Sequence, residues 1–273
     1  MEASIEQVRS LYLDLMKRVL VNWIYGAAEW ETTRSTGLLD RLARAQLLRD
    51  GAFVGKRAPF DQDKRARGLD WPPFAHSMIG LKRLDNLQDC LVQAIVDKIP
   101  GDFIETGVWR GGATIFARAV FKAYGVTDRT VWVADSFEGL PKPDSVAYPA
   151  DEGDVHHSYD DLRVSLEDVK ENFRSYGLLD DQVQFLKGWF RDTLPTAPID
   201  KLAVLRLDGD MYESTIVALK SLYPRLSIGG YLIVDDYCIP SCAKAVHDFR
   251  NENRISDEIV EIDGTGVFWR RRG

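Results

Sequence analysis

From residue 102 onward the chain alternates short apolar runs with helical patterns, and few folds accommodate that alternation. DFIET (Asp102–Thr106), TVWVA (Thr130–Ala134), VQFL (Val183–Leu186), LAVLRL (Leu202–Leu207) and YLIV (Tyr231–Val234) are each four to six residues long. Helical spacing follows over Ala113–Ala123, Leu166–Tyr176, Ser214–Tyr223 and Cys242–Asn251. Runs that are apolar throughout suit strands covered on both faces, and intervening helices join such strands in parallel. The expected fold class is therefore α/β, a doubly wound, mostly parallel Rossmann-like sheet. The end differs: Glu258–Ile262 and Gly266–Arg270 flank the turn signal Asp263-Gly264, which predicts an antiparallel final strand.

Upstream, LYLDLMKRVLV (Leu11–Val21) has the spacing of an amphipathic helix. Between Glu31 and Asp70, nine basic residues (Arg34, Arg41, Arg44, Arg49, Lys56, Arg57, Lys64, Arg65, Arg67) outnumber six acids. Leu38, Leu39, Leu42 and Leu47 predict one short helix there, and Gly51, Gly55, Pro59 and Gly68 mark the remainder as loop. Past Pro72-Pro73 a further helix runs through Leu81, Leu84, Leu87 and Leu91. Two regions are expected: 1–71, an N-terminal helix and basic insertion acting as cover or dimer contact, and 72–273, the domain built on the sheet.

Composition narrows the partners. A net charge of −7 argues against nucleic acid, and no stretch approaches a membrane span. Cys90, Cys238 and Cys242 lack zinc-site spacing and read as free thiols of a cytoplasmic protein.

In an open α/β sheet, ligands gather at the carboxyl ends of the strands. The first such end reads Glu105-Thr106-Gly107-Val108-Trp109-Arg110-Gly111-Gly112. Trp109 stands where a dinucleotide turn needs its second glycine, so a pyrophosphate is disfavoured. Glu105 suits the ammonium of a ligand that carries an amino acid. Asp135, after the next strand and before Ser136, can accept two ribose hydroxyls. Gly188, Trp189 and Phe190 can border an adenine. Asp208-Gly209-Asp210 and Asp235-Asp236 each follow a strand and should meet at one edge, where hard oxygen ligands favour Mg²⁺. His156 and His157 lie in a polar loop suited to substrate contact or proton transfer. Plainer readings stand beside these: a structural turn, Trp189 and Phe190 as core, histidines at the surface, and Asp210 as the cap of the helix that follows. A nicotinamide-dependent oxidoreductase and a non-catalytic nucleoside-binding module are the rival functions. Trp109 counts against the first and the aspartates against the second.

Longer strings carry a resemblance. AHSMIGLKRLDNLQDC (Ala75–Cys90), PGDFIETGVWRGGATIFAR (Pro100–Arg118), DRTVWVADSFEGLPK (Asp128–Lys142), KLAVLRLDGDMYEST (Lys201–Thr215) and GGYLIVDDYCIPSC (Gly229–Cys242) resemble the macrocin/mycinamicin/novobiocin-type sugar O-methyltransferases. The resemblance implies a seven-stranded methyltransferase sheet, S-adenosylmethionine and Mg²⁺, a glycoside acceptor and a homodimer. It implies that Ser77, Met78 and Glu105 to Gly111 (Thr106, Gly107, Val108, Trp109 and Arg110 among them) hold the methionine part of the cofactor. Asp135 and Ser136 would then meet the ribose, and Gly188, Trp189 and Phe190 the adenine. Asp208, Asp235 and Asp236 match the Mg²⁺ ligands, Asp208 also the general base, and His157 a histidine near the sugar hydroxyls. Ser77 stands where the family usually has Thr, the 31–70 segment is longer and more basic than the pattern, and the loop at His157 is shorter. The resemblance thus gives the reaction and leaves the acceptor unnamed.

Overall fold

The computed structural model describes residues 4–33, 37–52, 54–57 and 59–273. Helix α1 (Ile5–Leu20) starts at a capping box, in which Ser4 and Gln7 satisfy each other's backbone amides. Its inner face buries Leu13, Met16 and Leu20. Strands β1 (Trp30–Thr32) and β2 (Gly55–Arg57) pair antiparallel on either side of α2 (Leu38–Arg49), the short helix that the leucines predict. Arg34, counted above among the basic residues, lies outside the described residues. The rest of the segment is more ordered than a loop, because α3 (Gln62–Arg67) forms within it. No apolar periodicity announces α3, since polar contacts hold it. Its buried Arg65 reaches Glu29 at 2.8 Å, Asp70 at 2.7 Å and the Val21 carbonyl at 2.8 Å.

Then come α4 (Gly80–Val96), β3 (Asp102–Thr106), α5 (Gly112–Ala123), β4 (Val131–Asp135), α6 (Leu166–Ser175) and β5 (Val183–Lys187). The chain finishes with α7 (Phe190–Thr193), β6 (Leu202–Leu207), α8 (Tyr212–Leu222), β7 (Leu226–Val234), α9 (Pro240–Glu252), β8 (Val260–Glu261) and β9 (Val267–Arg270). Seven strands line up in the order β5-β4-β3-β6-β7-β9-β8. From β5 to β7 every pairing is parallel, while β9 runs antiparallel to both β7 and β8. The antiparallel ending is thus present, as the turn signal predicts. β7 begins at Leu226, ahead of the YLIV run, and its register against β6 shifts between Leu202 and Val204.

Alternate side chains of the strands feed two cores. Phe103, Val131, Val133 and Ile233 point to one, shared with α1, α4, α5 and α6; Ile104, Leu205, Leu207 and Leu232 point to the other, shared with α8 and α9. Each fully buried side chain of this kind contributes roughly 1.5–3 kcal/mol. Between β3 and β6 the winding direction reverses, which leaves a crevice at their carboxyl ends.

Candidate active site

That crevice is a cavity of about 280 Å³. Two glycines let its walls close up. A Cβ on Gly107, at φ +84°, would lie 1.7 Å from the Asp208 carbonyl oxygen, so this turn presses the β3 end onto the β6 end. A Cβ on Gly112 would meet the His76 carbonyl at 2.3 Å, so α5 starts directly against the Ser77 segment. Three non-glycine residues just beyond β3, β4 and β6 (Trp109, Phe137 and Asp210) hold positive φ. Strain of this kind costs about 1 kcal/mol or more per residue and gathers at functional sites.

Most of the residues singled out in the sequence line this cavity: Ser77, Met78, Glu105, Gly107, Val108, Trp109, Asp135, Ser136, Gly188, Trp189 and Phe190, with Asp208, Asp235 and Asp236. Thr106, Arg110 and Gly111 stand behind the wall. Arg110 reaches outward to the carbonyls of Pro73 and Ala75, both at 2.8 Å, and so holds the irregular segment that leads to Ser77. Glu105 is buried, with one oxygen bound by Arg206 and Oε2 without a partner among the described residues. Burial raises its carboxyl to about 8, against the pull of Arg206. Asp135 accepts from the Val108 amide at 2.8 Å and the Phe137 amide at 2.7 Å, so it shapes the turn as well as facing the cavity. Burial raises its carboxyl too, against those amides.

The opposite wall is a network of charges. Arg206, almost fully buried within β6, donates to Glu105, Asp208 and Asp235. Arg83 of α4 donates to the other oxygen of Asp235 and pairs with Asp263 at 3.1 Å. Neither arginine was singled out in the sequence, yet both leave a trace there. An arginine inside LAVLRL must find carboxylates once the strand is buried, and Arg83 shares the buried face of Leu84, Leu87 and Leu91. Two guanidinium groups face six carboxyls: Glu105, Asp208, Asp210, Asp235, Asp236 and Asp263. Ligand atoms of Asp208, Asp235 and Asp236 all lie within 4.8 Å of one another. Burial, then the negative neighbours, raises Asp236 far above the ordinary carboxylate range and Asp210 to about 7. Such an excess of oxygen donors, with no sulfur or imidazole among the three, fits a hard divalent cation.

Asp210 differs from its sequence reading. It does not cap α8, for its own backbone amide donates to Asp236 at 3.2 Å. The cap comes from Asp151, 61 residues before Tyr212 and separated from it by α6, β5, α7 and β6; its two oxygens accept from the Tyr212 and Glu213 amides at 2.6 and 2.9 Å. Asp151 thereby anchors the polar loop after β4 beside the aspartates. Of the two histidines in that loop, His156 lines the cavity, whereas His157 does not and has its Nδ1 buried without a partner among the described residues.

A sheet of this order with an antiparallel ending is the architecture of Rossmann-like methyltransferases, and the crevice lies where that class works. The solved structure of the O-methyltransferase NovP matches with a TM-score of 0.84 at 47% identity, covering 97% of this chain and 100% of NovP. The family is also shown: the Macrocin-O-methyltransferase (TylF) family model matches residues 9–271, and the chain belongs to that family. Among its relatives is the Streptomyces olivaceus 8-demethyl-8-(2,3-dimethoxy-alpha-L-rhamnosyl)-tetracenomycin-C 4'-O-methyltransferase, 54% identical over 97% of this chain and 94% of the relative. Another is the mycinamicin III 3''-O-methyltransferase of Micromonospora griseorubida, 53% identical over 96% of each chain.

Proposed function

We propose that this chain transfers a methyl group from S-adenosylmethionine to a hydroxyl of a deoxysugar on a glycosylated natural product, with Mg²⁺ held by Asp208, Asp235 and Asp236. The observation that carries the reading is the pairing, across one crevice, of a free buried Glu105 oxygen with that aspartate cluster. Relatives whose names state methylation of sugar positions on tetracenomycin and mycinamicin skeletons support the acceptor class.

In this reading Glu105 receives the cofactor's ammonium on Oε2, and Asp135 takes the ribose hydroxyls on lone pairs that the turn amides leave available. Ser77, Met78 and the Gly107–Trp109 backbone shape the methionine end, with Gly188, Trp189 and Phe190 at the adenine. Bound S-adenosylmethionine supplies an electrophilic methyl group. A bound divalent ion lowers the pKa of sugar hydroxyls. Asp208, whose Oδ2 is engaged by Arg206 at 2.7 Å, takes the acceptor's proton on its other oxygen as general base. Residues 31–70 act as cover on the acceptor side, which excludes water from a reaction that disperses charge. The exposed apolar residues of α1 and α2 support a homodimer, and free cysteines support a cytoplasmic setting. No described helix is long and apolar enough to cross a membrane.

The test is incubation with S-adenosylmethionine, Mg²⁺ and a panel of deoxysugar-bearing macrolides, aminocoumarins and aromatic glycosides, read by mass. One methyl group added to the sugar of at least one member is expected. Methylation confined to aglycones would refute the reading.

A further inference from the structure

We propose that His156, oriented by Asp154, is the acceptor-positioning side chain of this site, its Nε2 accepting a hydrogen bond from a sugar hydroxyl. The inference rests on the methyl-transfer reading above and adds to it the residue that grips the acceptor. His156 Nδ1 lies 2.7 Å from Asp154 Oδ2, and the His156 backbone amide donates to Asp154 Oδ1 at 2.9 Å. A carboxylate accepts hydrogen bonds, so Nδ1 carries a proton, and in the neutral imidazole Nε2 is then left with its lone pair. That nitrogen has no hydrogen-bond partner among the described residues, and His156 lines the cavity.

Two further contacts keep the ring in place. Tyr159 meets it edge-on at 5.6 Å, and Trp71 meets Tyr159 in turn at 6.0 Å. The Asp151 cap on α8 fixes the same loop to the segment directly after Asp208–Asp210. An imidazole held by Asp154 and Tyr159 in the cavity that the aspartates also line, and offering an acceptor in its neutral form, suits a hydroxyl donor. His157 lacks this support: its Nδ1 is buried without a partner among the described residues, and its carbonyl accepts from Arg163 at 3.4 Å.

The experiment uses the full chain and a glycoside that the wild-type enzyme methylates. His156→Phe keeps an aromatic ring against Tyr159 and removes the acceptor. The KM for the glycoside should rise about tenfold with a smaller change in kcat, and calorimetric affinity for S-adenosylhomocysteine should hold. His157→Ala should raise KM less than His156→Phe does. Imidazole ¹⁵N–¹H correlation spectra of the wild type should show the Nδ1–H tautomer, with the Nε2 resonance moving when glycoside is added. Asp154→Ala should abolish that tautomer preference. An Nε2–H tautomer in the wild type, or an unmoved Nε2 resonance at saturating glycoside, overturns the proposal even if the variants misfold. So does an unchanged KM in His156→Phe. If the wild type methylates no glycoside, the function reading fails first and this inference with it.

Discussion

Glu105 and Asp135 sit at neighbouring strand ends and use their carboxylates differently. Glu105 keeps one buried oxygen without a partner among the described residues, whereas Asp135 ties down the turn after β3 while lining the same cavity. Asp135→Ala should therefore weaken S-adenosylhomocysteine binding by about 1–3 kcal/mol and also lower thermal stability, because two buried amides lose their acceptor. Calorimetry beside a melting curve checks this; unchanged affinity would remove Asp135 from the ribose role. At this scale the sequence displays the acids better than their partners. Glu105, Asp135, Asp208, Asp235 and Asp236 each end an apolar run, so the pattern places them at one edge. Arg206 and Arg83 lie inside buried patterns that give no hint of which carboxylate each will meet. His156 and His157 are adjacent, and only the loop's conformation decides which one reaches the cavity.

Elements joined across long sequence distances hold the site together. Asp151 caps α8 from a loop on the far side of β5 and β6, a contact no local pattern can announce, whereas α1 and α6 carry local Ser caps legible beforehand. Asp151→Ala should cost about 1 kcal/mol of stability, the ordinary loss on removing a helix cap. It should also raise the acceptor KM, and Asp151→Asn should recover much of the stability. A KM unaffected by Asp151→Ala would detach the loop from the acceptor. A second long-range tie joins α5 to the turn before β5, where Arg118 donates to Asp180 at 3.0 and 2.6 Å. Those hydrogen bonds hold Asp180 below the ordinary carboxylate range. A depressed folded value means stability present above the unfolded pKa of about 3.9 and lost as pH falls through the folded one. Melting temperatures of the wild type should consequently fall more steeply below pH 4 or so than those of Asp180→Asn. Parallel curves would show that the half-exposed pair contributes nothing.

The molecule as a whole leaves apolar surface on its N-terminal side. Ile5, Val8, Leu11 and Leu15 of α1 are 73%, 55%, 69% and 54% exposed, and α2 buries none of its leucines. Light scattering should give a mass near twice 30.9 kDa, and Leu11→Asp with Leu15→Asp should return it to the single-chain value; a monomeric wild type would refute the dimer. The doubly wound order and its antiparallel ending are readable in advance because buried parallel strands and turns leave local patterns. The charge network is not, since its members come from α4, from the ends of β3, β6 and β7, and from the turn between β8 and β9. That network bears the central claim, and a Mg²⁺ titration of methyl transfer in wild type, Asp236→Asn, Asp210→Asn and Asp208→Asn tests it most directly. Chelator should abolish turnover while S-adenosylhomocysteine affinity holds. Asp236→Asn should need more metal, and Asp210→Asn should lose activity as well, because its backbone and carboxyl belong to the cluster and not to a helix cap. Asp208→Asn should stay inactive at every concentration, since added metal cannot restore a base. Full turnover in chelator would contradict the account.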